Sequence, residues 1–285
     1  MRALVAAGAA ALLTVAVAGC SQNQQDAGSG DASGNGPVNV VASTDVWGSV
    51  ASAVAGDDAT VTAIVTGTVA DPHSFEASPS DAANISDASL VVFNGGHYDH
   101  WVEEVLANNP DVPTVDGYSL LAPSQEPANE HVFYDLGTVK AVAAGIAEKL
   151  GDADAAHAAD YTANAERFGQ ELDTIAAPGR LRNAGITDKT PETFADAVEE
   201  GDDPSPADVA AMLDLIDARQ VSAVVVNTQT ETSATQQISD AARQASLPLI
   251  EVTETLPEGL DYLSWQRATV DEIAAQLDSA PQTSR

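Results

Sequence analysis

The 285-residue sequence is poor in several things, and each scarcity removes a class of function. It holds one cysteine, Cys20, so no disulfide can form within the chain. Lysine and arginine together number 11 against 43 aspartates and glutamates, for a formal charge of −32. Such a surface repels nucleic-acid phosphates and anionic lipid headgroups, which argues against a nucleic-acid partner. It attracts cations, but loosely and without selectivity; a solubilising acidic shell accounts for it without a charge-based function. The hydrolase signatures H-E-x-x-H and G-x-S-x-G do not occur. No internal repeat is evident. Beyond the first 19 residues, no apolar run is long enough to span a bilayer. Only five histidines are present, so each one counts.

What is there begins with a leader. Met1-Arg2 precedes the apolar run ALVAAGAAALLTVAVAG, and Cys20 follows directly. This is the layout of a signal peptide over residues 1–19. V-A-G-C at its end resembles a bacterial lipobox, which implies cleavage before Cys20 and lipid attachment to its sulfur. More than one acyl chain holds a protein firmly on a membrane. Residues 20–37, ending SQNQQDAGSGDASGNGP, lack apolar anchors and read as a flexible tether. The expected location is the extracytoplasmic face of the cell membrane, with the body held on a leash.

From Val38 strand-like and helix-like segments alternate. VNVVAS, TVTAIV, SLVVFN and VPTVDGY read as strands. VWGSVASAVA, PSDAANIS (capped near Ser80 or Asp81) and residues 99–106 read as the helices between them. The pattern predicts a mainly parallel sheet covered on both faces. Residues 136–150 predict a helix, and 152–175 predict a second, six-turn helix that could act as a strut. The alternation then resumes: helix 204–218, strand 221–227, helix 231–245, strand PLIEVTE and a final helix 265–277. The expected fold class is α/β, with two α/β lobes joined by one long helix: lobe 38–150, connecting helix 151–177, lobe 178–285.

In open α/β sheets ligands gather beyond the C-terminal ends of strands. His73 follows TVTAIV, in ADPHSFEASPSD; His97 and His100 follow SLVVFN, in NGGHYDHW; His131 stands in NEHVFYD; Glu254 follows PLIEV, in VTETLPEG. Imidazoles and a carboxylate converging from separate loops make a metal site suited to zinc or, with more oxygen ligands, manganese. His73, His131 and Glu254 are the candidate metal ligands. His97 and His100 start a helix whose more natural task is to pack Trp101. Asp261 reads as a structural loop residue and His157 as a structural residue of the strut.

These segments carry a resemblance. ADPHSFEASPSD, NGGHYDHW, NEHVFYD and VTETLPEGLDYLSW look like the solute-binding lipoproteins of bacterial zinc and manganese ABC importers, the ZnuA/TroA-like cluster A-I, over residues 38–278. D-P-H-x-x-E is their most specific element. The resemblance implies two lobes with metal in the cleft between them, held by His73, His131 and Glu254. It implies a monomeric, non-enzymatic carrier of Zn2+ or Mn2+ as transported ligand rather than cofactor, with an ABC permease, its ATPase and the membrane as partners. One departure is visible. The family has a further His or Glu ligand after the first strand of the second lobe, whereas IAAPGRLRNAGITDKTPETF offers no strand-like run and no such residue before Glu192. A second lobe lacking its first strand is expected, with the fourth coordination position left to water or to EEGDD at 199–203. An extracellular zinc-dependent hydrolase is the rival reading, since three ligands plus water is also a catalytic pattern. A degenerate member kept for adhesion or storage is the third.

Overall fold

The computed structural model describes residues 38–68, 71–122, 129–176, 187–199 and 202–279. The leader, Cys20 and the tether lie outside the described residues, as do residues 177–186 of the segment in which the departure from the family pattern falls.

Four strands, β1 (Val38–Thr44), β2 (Ala59–Val65), β3 (Leu90–Phe93) and β4 (Thr114–Asp116), form one parallel sheet in the order β2-β1-β3-β4. Register is set by apolar pairs such as Val40 with Val61 and Val92 with Val115. Both faces of the sheet are covered, so β1 is buried at every position except Asn39 and β3 is buried throughout. That burial pattern explains why these strands read as continuous rather than alternating apolar runs.

On one face lie α1 (Asp45–Ala55), α4 (Leu136–Ala153) and α5 (Ala158–Ile175), whose Trp47, Val142, Ile146, Tyr161 and Leu172 are buried in a common core with Val40 and Val92. The other face is covered by α2 (Pro79–Ser86) and α3 (His100–Leu106), through Ile85, Trp101 and Val102. Ser78 is the N-cap of α2, not Ser80 or Asp81: its hydroxyl accepts the Asp81 N–H, and the Asp81 carboxylate accepts the Ser78 N–H in return.

The predicted six-turn helix over 152–175 is interrupted. α4 runs on to Ala153, Asp154 caps it, and α5 begins only after His157. The Asp154 carboxylate accepts from the Ala156 N–H at 3.2 Å and pairs with His157 Nδ1 at 2.6 Å. A short acidic side chain that bonds its own backbone competes with helix continuation, and the alanine-rich sequence concealed this. His157 therefore stands at a helix start rather than inside a strut.

The second sheet pairs β5 (Val224–Asn227) with β6 (Leu249–Val252), parallel, packed by α6 (Glu192–Glu199), α7 (Pro206–Asp217) and α8 (Ser233–Gln244) around Phe194, Ile216, Ile238 and Leu247. These two strands make up the second sheet among the described residues; residues 187–191 form no strand, and 177–186 lie outside them. After β6 the chain returns to the first core, where Leu256, Tyr262 and Trp265 are buried. α9 (Tyr262–Ser279) starts three residues before the expected position because Asp261 caps it, accepting the Ser264 N–H at 2.7 Å. Among the described residues no helix is long and apolar enough to cross a membrane.

Candidate metal centre

The site lies beyond the C-terminal ends of β2, β3, β5 and β6. His73 is delivered by the segment after β2, where its N–H bonds to Asp71 Oδ1 at 3.0 Å in a tight turn. His131 precedes a 3-10 turn, Val132–Tyr134, and its N–H bonds to Asn129 Oδ1 at 2.8 Å. Between them stands the loop that follows β3. Gly95 and Gly96 both take positive φ, 74° and 65°, and a Cβ on either would collide with Asp116 or the Tyr118 ring. This fold-back lets the buried Asp99 carboxylate accept the N–H groups of Asn94 and Gly95 at 2.7 and 2.9 Å. It also sets Tyr98 edge-on to His73, with ring centroids 4.6 Å apart.

Glu254 lies two residues past β6 and is only 5% exposed. Its Oε1 is 3.4 Å from His131 Nε2 and its Oε2 is 3.3 Å from His73 Nε2. Asn227, the last residue of β5, donates a short hydrogen bond to Oε1. Oε2 has no well-formed hydrogen bond, so a buried carboxylate oxygen and an imidazole nitrogen face each other at ion-pair distance. The far nitrogens are engaged as well. His73 Nδ1 is 3.3 Å from Glu130 Oε1, and His131 Nδ1 is 2.8 Å from Asn129 Oδ1.

The electrostatics follow from this arrangement. Burial would raise the pKa of Glu254, but pairing with His131 and His73 outweighs it and holds the carboxyl down to about 2. Burial likewise disfavours charge on His73, yet Glu254, then Glu130 and Asp71, raise its pKa above the usual 6.5. Without an ion, a proton on imidazole supplies the positive charge that the carboxylates demand. A divalent cation supplies it better, and displaces the proton.

Two overlapping donor groups meet the spacing a metal requires: His73, Glu130 and His131, and Asp71, His73 and Glu254, each with ligand atoms within 4.8 Å of one another. They open on a cleft of about 230 Å³ whose walls include Tyr134 from the first half of the chain and Val198 and Thr230 from the second. Imidazole nitrogens with carboxylate oxygens suit zinc, and the surplus of oxygens also suits manganese.

The structure thus gathers His73, His131 and Glu254 in one place. It leaves His97 and His100 exposed on the outer side of their loop while Tyr98 and Asp99 between them are buried. His157 pairs with Asp154 and Asp58 near the start of α5 and takes no part in either donor group. Asp261 is an exposed helix cap. Of the EEGDD segment, Asp202 and Asp203 are exposed and belong to neither group. Sequence reasoning missed Asp71, Asn129, Glu130 and Asn227. Each adjoins a segment already singled out: Asp71 within D-P-H, Asn129 and Glu130 within N-E-H, and Asn227 at the end of a predicted strand.

The sequence model of the family described as zinc-uptake complex component A, periplasmic, matches residues 40–190 and 180–276. The manganese-binding lipoprotein MntA of Halalkalibacterium halodurans is 26% identical over 257 residues, covering 80% of this chain and 82% of that protein. The iron-binding protein YfeA of Yersinia pestis is 28% identical over 144 residues, covering 48% of this chain and 46% of that protein. Among solved structures, the periplasmic zinc-binding protein TroA from Treponema pallidum superposes with a TM-score of 0.70 at 18% identity, covering 85% of this chain and 99% of that one. At that identity the superposition speaks for the fold.

Proposed function

This chain belongs to the zinc-uptake complex component A family of solute-binding proteins, and from that premise we propose that it captures a divalent metal ion outside the cytoplasm and hands it to an ABC permease driven by its ATPase. The observation that carries the reading is the convergence of two imidazole Nε2 atoms on the two oxygens of one buried carboxylate, Glu254. A charged carboxylate is kept in a buried position only when paired or when it binds a cation. Here its partners are the two side chains whose nitrogens a metal would take.

His73, His131 and Glu254 are the proposed ligands, and Zn2+ the leading cargo, with Mn2+ second because carboxylate oxygens are plentiful around His73. The ion is cargo rather than a catalytic cofactor. Capture exchanges imidazole protons and the ion's own water for three protein ligands, and no general base is needed. Cys20 is the proposed lipid anchor, residues 21–37 the leash, and the monomer the working unit.

Isothermal titration of the mature protein with zinc chloride and manganese chloride tests the reading. One ion bound per chain, lost in the double variant His73→Ala/His131→Ala, is the expected result. Equal uptake by that variant would place the ion elsewhere.

A further inference from the structure

We infer that Glu130 and Asn129 are positioning residues that fix the ring orientation and tautomer of the two proposed ligand histidines, so that both present Nε2 to the ion; this rests on the metal-capture reading above. An imidazole binds a metal through one nitrogen, and the other is free to donate a hydrogen bond that locks the ring. On His73, Nε2 faces Glu254 at 3.3 Å and Nδ1 faces Glu130 at 3.3 Å. On His131, Nε2 faces Glu254 at 3.4 Å and Nδ1 faces Asn129 at 2.8 Å. The two rings are thus arranged alike. Each turns its ε nitrogen to the same buried carboxylate and its δ nitrogen to an oxygen supplied by residues 129 and 130.

The tripeptide Asn129-Glu130-His131 therefore does three things at once. It contributes one imidazole, orients that imidazole from two residues upstream, and orients the other from the residue between. Its backbone is held for the purpose. Asn94, fully buried, donates through Nδ2 to the Glu130 carbonyl at 2.7 Å, and the Val132 N–H bonds to the same carbonyl at 2.7 Å. Asn94 is in turn held by Asp99 through its backbone N–H. Glu130 is thus fixed by a buried network rather than carried on a free surface turn.

Glu130 has a competing role as a direct ligand, since its carboxylate also lies within coordinating range of His73 and His131. Geometry favours positioning: Glu130 approaches the nitrogen of His73 opposite the one that faces Glu254. A single ion between His73 Nε2, His131 Nε2 and Glu254 leaves Glu130 behind the His73 ring.

The test uses the mature protein with 15N-labelled histidine, zinc chloride as the probe, and long-range proton–nitrogen spectra alongside zinc titration. In the zinc-loaded wild type both rings are expected to carry their proton on Nδ1. Glu130→Gln keeps an acceptor oxygen and is expected to keep that pattern, with zinc affinity within about threefold of wild type. Glu130→Ala is expected to lose affinity by about 10- to 100-fold, the usual effect of removing such a partner. It should also lose the single His73 tautomer while the His131 signals persist. Asn129→Ala should show the converse. Loss of affinity in Glu130→Gln as large as in Glu130→Ala, or metal on His73 Nδ1, would overturn the inference while leaving metal capture intact. Absence of zinc uptake by the wild type would overturn the capture reading and this inference with it.

Discussion

The hydroxyl of Tyr134 donates a 2.6 Å hydrogen bond to the carbonyl of Thr253, across 119 residues of sequence. It is one of several ties that bind the segment carrying Glu254 to the first half of the chain. Tyr98 reaches the Glu254 carbonyl at 3.4 Å, the Asp45 carboxylate accepts the Leu256 N–H at 3.0 Å, and Thr255 Oγ1 bonds to the Gly67 carbonyl at 3.0 Å. From the second half, Gln229 Oε1 accepts the Glu254 N–H at 2.6 Å and Asn227 holds the side chain. Glu254 is therefore fixed from both sides and does not reach across an open gap. Burial pushes the Tyr98 and Tyr134 hydroxyls far up, so both remain neutral donors.

Tyr134→Phe should lower stability by about 1 kcal/mol, the usual net worth of one hydrogen bond, and should speed metal release without touching a ligand. Denaturant unfolding of the metal-free protein and stopped-flow chelator competition measure the two effects. Unchanged release would mean that Glu254 is held well enough by its other ties.

Metal affinity should fall as the solution is acidified through the raised pKa of His73, because the proton and the ion compete for Nε2. Each proton released on binding steepens the affinity by about tenfold per pH unit. In the metal-free protein, the contribution of the lowered Glu254 is complete above its usual 4.5 and is lost as pH falls toward about 2. The contribution of the raised His73 is complete below 6.5 and is lost as pH rises through its folded value. Together they should make the empty site most stabilising between about 4.5 and 6.5. Calorimetric titration in buffers of different ionisation enthalpy gives the proton count, and an affinity independent of pH between 5.5 and 7.5 would contradict this.

Asp99 should make the fold sensitive to pH for a different reason. Burial raises its pKa from 3.8 to about 6, against the lowering effect of the hydrogen bonds from the Asn94 and Gly95 N–H groups. Its contribution is complete below 3.8 and is lost as pH rises through about 6, where a buried carboxylate must ionise. Asp99→Asn cannot ionise, so wild type should lose more stability than the variant between pH 4 and 6.5. Parallel unfolding curves across that range would show that the carboxyl is already charged.

Glu254→Gln keeps the shape of the side chain and removes its charge. Zinc release should accelerate by at least about tenfold, equivalent to about 1.4 kcal/mol, whereas His157→Ala should release at the wild-type rate. Chelator competition on both variants decides it, and equal rates for the two would refute a coordinating role for Glu254.

Much of the first sheet was legible because its strands are buried on both faces and its helices have strong apolar spacing. β1, β2, β3 and α2 lie within a residue or two of where VNVVAS, TVTAIV, SLVVFN and PSDAANIS placed them. The break at Asp154–His157 was hidden, since it depends on a side chain turning back on its own backbone in an alanine-rich run. His73, His131 and Glu254 could be read from strand exits. Glu130 and Asn129 could not, because their role comes from facing the δ nitrogens of rings whose orientation only the fold sets. Nor does the sequence show that the chain beyond β6 packs Tyr262 and Trp265 into the first core.

The central claim is that one ion sits between His73 Nε2, His131 Nε2 and Glu254. Crystals of the mature protein grown with zinc and with manganese, measured at the absorption edge of each metal, test it most directly. The account predicts one anomalous peak per chain, within bonding distance of those three side chains and with Glu130 behind the His73 ring. A peak elsewhere, beside His157 and Asp154 for instance, or no peak at either edge, would contradict it.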